Sequence, residues 1–347
     1  MVSPFLIIEI AALINIKLEC FIKVKDQKQN STGDNDNIEM NVHRVGPMGQ
    51  PDMKAVMRLY VVVFIFLLVF ASLLQAWNFE LGMILTQVIF ILLPALWFWR
   101  RYRVNQVAYA RLYPLKARFI PAIVLLSVSM WLLNIIIAAG LVSGLMEIGF
   151  EPVVVIEPPQ TFQQYLMYLV ILSVFTGICE EVFFRGTIMP AMEGHGLVPA
   201  IIFSSLLFAL FHGSFLNLTS AFTLGVVIAV IVIKTNSLWG GILYHMLNNF
   251  YAATFLYIAG RYETAANIEP EELLVFMPLL ILSLAGLYYG LRLLQQKSKI
   301  EPLLRNRISW LPGGWLSWPL FVGLALFLFM ALLEMAIGFN WFNLDGL

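Results

Sequence analysis

The sequence predicts an all-α, polytopic transmembrane bundle of about eight to nine spans, with a catalytic core in its central to C-terminal half. Three observations predict it. Of 347 residues, 60% are hydrophobic and only 12% are charged, roughly half the charged fraction of a soluble domain. Several apolar runs reach the ~20 residues that cross a hydrocarbon core. Strongly polar residues enter those runs as tight clusters: Cys179-Glu180-Glu181-x-x-x-Arg185, Phe208-x-x-x-His212 and His245-x-x-x-Asn249. A bilayer offers no water to an ionisable group, so such clusters read as functional.

The elements follow in chain order. Residues 1–57 form a polar leader, expected to be disordered because Lys23 to Lys54 is rich in Gly, Asn and Asp. Its apolar start, Pro4–Ile16, is short, carries Glu9 and has no basic residue ahead of it, which makes a poor signal peptide. Met53 or Met57 is a candidate natural start, and Asn30-Ser31-Thr32 fits a glycosylation sequon. Apolar runs at 58–77, 80–99 and 119–146 predict the N-terminal spans of a 58–150 segment. Runs at 162–192, 198–215, 218–234 and 237–258 carry the polar clusters and delimit a core at 160–256. Spans at 272–293 and 316–338, with a basic linker between them, complete 257–347.

Loop charges orient this topology. Arg100, Arg101, Arg103, Arg111, Lys116 and Arg118 follow the second span with no acid among them. Arg292, Lys297, Lys299, Arg305 and Arg307 follow the eighth, against a single Glu301. Glu147, Glu151 and Glu157, and then Glu263, Glu269, Glu271 and Glu272, occupy alternate loops. Basic loops mark the cytoplasmic side. The expected setting is a bacterial cell membrane, with the N-terminus and the opening of the site facing the cytoplasm. Counted from that side, Glu180 lies about 18 Å deep, His212 about 20 Å and His245 about 12 Å. The three clusters can face one another.

On a helix, residues four apart share a face. Glu181 and Arg185 therefore read as a supporting ion pair, and Glu180, about 100° away, is free for chemistry. Phe208 shares a face with His212, and His245 with Asn249. A glutamate in a water-poor site suits a general base that later returns the proton. Asn249 and one histidine can donate to a developing oxyanion. Alternatively, Glu180, His212 and His245 can bind a divalent metal such as zinc.

The runs Glu180-Glu181-Val182-Phe183-Phe184-Arg185-Gly186, Phe208-Ala209-Leu210-Phe211-His212 and His245-Met246-Leu247-Asn248-Asn249 resemble the CPBP family. This family comprises type II CAAX prenyl endopeptidases and bacteriocin-immunity (Abi) proteins. Phe222-Thr223-Leu224-Gly225 and Thr235-Asn236-Ser237-Leu238-Trp239 are similar to its third block and the lead-in to its fourth. The resemblance covers about 160–256 and implies an intramembrane endopeptidase. It implies that Glu180 and His212 activate water while His245 and Asn249 stabilise the oxyanion. The family has been described both as metal-dependent and as glutamate-dependent without metal, so no cofactor is certain and a divalent metal stays open. The implied partners are the lipid bilayer and a peptide or protein substrate reached within it, with CAAX-type processing and bacteriocin self-immunity as candidate roles.

Other classes are weaker. A formal net charge of +0 gives no basic surplus for nucleic acid. There is no His-Glu-x-x-His zinc motif, and Ser214 is offset by two residues from His212, so one helix face does not present them together. Cys20 and Cys179 sit in settings too different for a disulfide, and Cys179 reads as a packing residue. A proton-coupled transporter can use the same residues as a relay, but no internal repeat is visible. A non-catalytic immunity or scaffold protein is disfavoured by the complete motif set. Glu334 reads as reaching the interface from the last span. Gly140-x-x-x-Gly144 and Gly286-x-x-x-Gly290 read as close-approach sites, and the nine tryptophans and twelve tyrosines as interfacial belts.

Overall fold

The computed structural model describes residues 51–152, 156–261, 276–298 and 318–341. The leader through residue 50, with its sequon, and the charged stretches at 262–275 and 299–317 lie outside the described residues. The described part is helical with no strand. Nine long helices occupy the nine expected places: α1 Met53–Trp77, α2 Phe79–Arg101, α3 Ile120–Met146, α4 Phe162–His195, α5 Leu197–Phe211, α6 Phe215–Thr235, α7 Leu238–Ala259, α8 Phe276–Lys297 and α9 Trp318–Gly338.

Seven of these are long and apolar enough to cross a membrane, and the chain is an integral membrane protein. The two exceptions are informative. Helix α7 has 22 residues, but His245, Asn248 and Asn249 interrupt its apolar run. Helix α5 has only 15 residues, about 22 Å at the helical rise and short of the ~30 Å hydrocarbon core. The sequence predicts a span to 215 here. Instead Gly213 takes a φ of +61° and Ser214 caps the next helix, so α5 stops at Phe211. The α5–α6 hairpin therefore turns at His212–Ser214.

Local chemistry explains the other boundaries. Helix α1 begins at Met53 rather than 58, because the Asp52 carboxylate accepts the Ala55 N–H at 2.6 Å. Lys54 and Arg58 lie on its exposed face. Asn78 leaves helical geometry and caps α2 through Leu81 N–H at 2.8 Å, making a tight hairpin with α1. Thr161 and Gln164 form a reciprocal capping box at the start of α4. Three of the spans contain π-helical stretches: Leu67–Ala71 in α1, Thr86–Leu92 in α2, and Leu169–Phe175 and Phe184–Ile188 in α4. Such wide turns recur at functional sites, and here two of them carry Gln87 and Arg185.

The connection between α2 and α3 docks on the Met192 end of α4. Arg111 grips Glu193 with two bonds of 2.6 and 2.7 Å, and the Tyr109 hydroxyl donates to the Thr187 carbonyl at 3.0 Å. Trp99 Nε1–H donates to Thr187 Oγ1 at 2.9 Å. Other tryptophans, such as Trp77 and Trp318, sit exposed at span ends, as an interfacial belt requires.

The two glycine motifs part company. Around Gly140 and Gly144 a β-carbon would meet open space. Helix α8, in contrast, packs directly on α3: a β-carbon on Gly286 would fall 2.1 Å from Ser129 Oγ, and one on Gly290 2.7 Å from Leu126 Cγ. Gly286→Ala should therefore destabilise the protein by about 1–3 kcal/mol, read as a lower thermal midpoint in detergent. Adding Ser129→Ala, which removes the nearest atom, should recover part of the loss.

Candidate active site

The site begins with a charge that the bilayer would not tolerate alone. Arg185 is fully buried on α4, and its Nη1 donates to Glu181 Oε1 at 3.0 Å, one helical turn back. Its Nη2 donates to the Gly225 carbonyl on α6 at 2.9 Å. The guanidinium also lies 4.5 Å from the centre of the Phe208 ring on α5. Gly225 is required for this approach, because a β-carbon there would sit 3.0 Å from Ser205 Cβ and 3.1 Å from Arg185 Nη2.

Glu181 does more than neutralise Arg185. Its Oε1 also meets His245 Nδ1, on α7, at 2.7 Å. A carboxylate only accepts, so Nδ1 carries the proton of that bond and Nε2 is the nitrogen left for chemistry. His212, the C-cap of α5, is oriented by similar logic. Its Nδ1 lies 2.8 Å from the Phe208 carbonyl, one turn back, so Nδ1 donates and Nε2 is free to accept. The Phe208 ring stands edge-on to both imidazoles, 4.8 Å from His212 and 5.9 Å from His245. Phe208 is thus a common wall for Arg185 and the two histidines.

Glu180 is tied to α2. Its Oε1 accepts from Gln87 Nε2 at 3.3 Å, and its buried Oε2 has no hydrogen-bond partner in the protein. Asn249 Nδ2 donates to the Leu172 carbonyl at 2.8 Å, with its second amide hydrogen to spare. No hydrogen bond joins Glu180 directly to His212. Among the described residues, the buried side-chain atoms without protein partners sit on Thr86 and Gln87 of α2, on the Glu180–Arg185 turn of α4, on Ser205 of α5, and on Tyr244 and Asn248 of α7. Buried polar groups need partners. Those without one here are confined to α2, α4, α5 and α7.

The alternative metal set does not assemble. Among the described residues, no three His, Cys, Asp or Glu side chains converge to hold an ion, although Glu180, His212 and His245 are all described. Cys179 is buried. Ser214 is engaged elsewhere, its hydroxyl donating to Glu334 at 2.7 Å, and so is no nucleophile for His212. Glu334 itself does not reach for the interface but turns inward to this hairpin.

Two partners escape sequence reasoning: Gln87 and Glu334. A lone glutamine in an apolar run was the only available signal for the first. Gln87→Leu keeps the size but strips Glu180 of its donor. It is expected to cost about 1–3 kcal/mol of stability and to slow hydrolysis on the order of 10-fold or more. Paired thermal melts and cleavage rates check this, and an unchanged rate would remove Gln87 from the site.

Residues 162–251 match the family model described as type II CAAX prenyl endopeptidase Rce1-like. No curated protein and no solved structure matches the chain. The matched segment runs from the first residue of α4 into α7, so it includes Glu180, Glu181, Arg185, Phe208, His212, His245 and Asn249 and leaves Gln87 and Glu334 outside. The match supports a CPBP-type intramembrane-protease region in these four helices.

Proposed function

We propose that this protein is an endopeptidase of CAAX type, hydrolysing a peptide bond of a membrane-associated substrate with water activated by Glu180 and His212. The observation that carries the reading is the Glu180 carboxylate: buried, held by Gln87 through one oxygen, and with the other oxygen unengaged by protein. Water in contact with Glu180 Oε2 and His212 Nε2 attacks the scissile carbonyl carbon as its proton passes to Glu180. The carbonyl oxygen becomes an oxyanion, stabilised by the spare Asn249 Nδ2–H and by the His245 ring that Glu181 holds. Glu180 then returns the proton to the leaving nitrogen as the C–N bond breaks. No covalent enzyme intermediate forms. The scheme assigns no step to a metal.

Loop charge supports a cytoplasmic opening, since Arg100, Arg101, Arg103, Lys116 and Arg118 cluster at the α2–α3 connection. In this account 160–256 is the catalytic core, and the flanking spans position it. The substrate test uses purified protein in proteoliposomes, offered matched CAAX-type peptides with and without a prenyl group. Cleavage of the prenylated peptide, insensitive to chelator, is expected. Cleavage that disappears with chelator and returns with zinc would overturn the metal-free scheme.

A further inference from the structure

The last helix lies outside the family-matched segment, yet it carries an acid in the middle of apolar sequence. Glu334 is the sole charged residue of α9, and a carboxylate inside a span demands a reason. Its reason is the turn beside His212. Glu334 Oε1 accepts from Ser214 Oγ–H at 2.7 Å, and Oε2 accepts from the Phe215 N–H at 2.6 Å. Both oxygens of the carboxylate are therefore spent on two consecutive residues. Ser214 passes the contact on, accepting the Asn217 N–H at 3.2 Å as cap of α6. One turn earlier on α9, the Met330 side chain lies against Gly213, where a β-carbon would be 3.5 Å from Met330 Cβ.

We propose that Glu334 is a positioning residue for His212, through which the C-terminal helix holds the histidine in register with Glu180. The geometry requires some such device. His212 is not inside a helix but follows its last turn, and Gly213, at a φ of +61°, gives the backbone its freest point right there. The bond from Nδ1 to Phe208 fixes the ring relative to α5. The last backbone bonds of α5, from His212 N–H to the Ala209 carbonyl at 3.2 Å and from Gly213 N–H to the Leu210 carbonyl at 3.1 Å, fasten the near side of the glycine. Glu334 fastens the far side through its bidentate hold on Ser214 and Phe215. A single neutral hydrogen bond would do this less well than a carboxylate at a helix N-terminus, where both charge and geometry are favourable.

The inference rests on the assignment of His212 to the hydrolytic site, so its test has one reading with activity and one without. Full-length protein carrying labelled histidine has four imidazoles, and the His212 signal is assigned by its loss in His212→Asn. In Glu334→Ala that signal should shift or broaden while the His195 signal stays in place. In parallel, kcat for the cleaved CAAX-type peptide should fall on the order of 10- to 100-fold, with KM little changed. Glu334→Gln, which keeps one accepting oxygen, should recover part of the rate. If the His212 signal and kcat are both unmoved in Glu334→Ala, while Glu180→Gln is inactive, the positioning role is wrong and the hydrolytic reading stands. If Glu180→Gln itself cleaves at the parental rate, the hydrolytic reading fails, and the His212 signal alone decides whether Glu334 holds the turn.

Discussion

Replacing Glu180 with glutamine is expected to lower peptide hydrolysis by roughly 10²- to 10⁴-fold, the usual range for loss of a general base, and to leave the protein folded. The fold should survive because the change is isosteric and removes no charge pair. Arg185 is paired with Glu181 and also donates to the Gly225 carbonyl, and the introduced carboxamide oxygen can still accept from Gln87. What is lost is the ability to take a proton from water and return it to the leaving nitrogen. Glu181→Gln is the informative contrast. Glu181 holds both Arg185 and His245 on the same oxygen, so that change should lower stability and rate together. Rates and melts on the same preparations separate the two carboxylates. Equal stability losses at both would contradict the division of labour between them.

Arg185→Met is expected to have the largest effect on stability. It leaves Glu181 buried with a negative charge and no cation, removes the donor to Gly225, and takes away the guanidinium packed on Phe208. Breaking a buried pair on one side costs about 3–5 kcal/mol, against a total stability of only about 5–15 kcal/mol for a typical domain. Poor recovery from detergent extraction and a collapsed thermal transition are the expected results. Arg185→Lys should be intermediate, since an ammonium keeps the charge but cannot donate to Glu181 and Gly225 through a planar fork. A melt indistinguishable from the parent in Arg185→Met would mean that the pair is solvated rather than buried.

How much of this was legible in the sequence depends on the range of the interaction. The helices are legible because a hydrocarbon core imposes a length and a composition on every span. The Glu181–Arg185 contact is legible because both residues lie on one helix, four apart. The contact between His245 and Glu181 joins residues 64 positions apart on different helices, and no periodicity reports it. Gln87 and Glu334 escape for the same reason, since each acts across the bundle on a cluster it does not belong to in sequence. The end of α5 escapes for a different one. Apolar residues continue past His212, and only the backbone conformation of Gly213 turns the chain. Gly140-x-x-x-Gly144 and Gly286-x-x-x-Gly290 look alike as strings, but only the second has a helix against it, because Ser129 and Leu126 of α3 happen to face it.

The central claim is that the buried Glu180 cluster hydrolyses a peptide bond with water. The most direct measurement incubates the parent protein and Glu180→Gln with a prenylated CAAX-type peptide in heavy-oxygen water and weighs the products. The account predicts that the parent yields a product with one heavy oxygen in its new carboxylate, and that Glu180→Gln yields almost none. Parental amounts of labelled product from Glu180→Gln would contradict it.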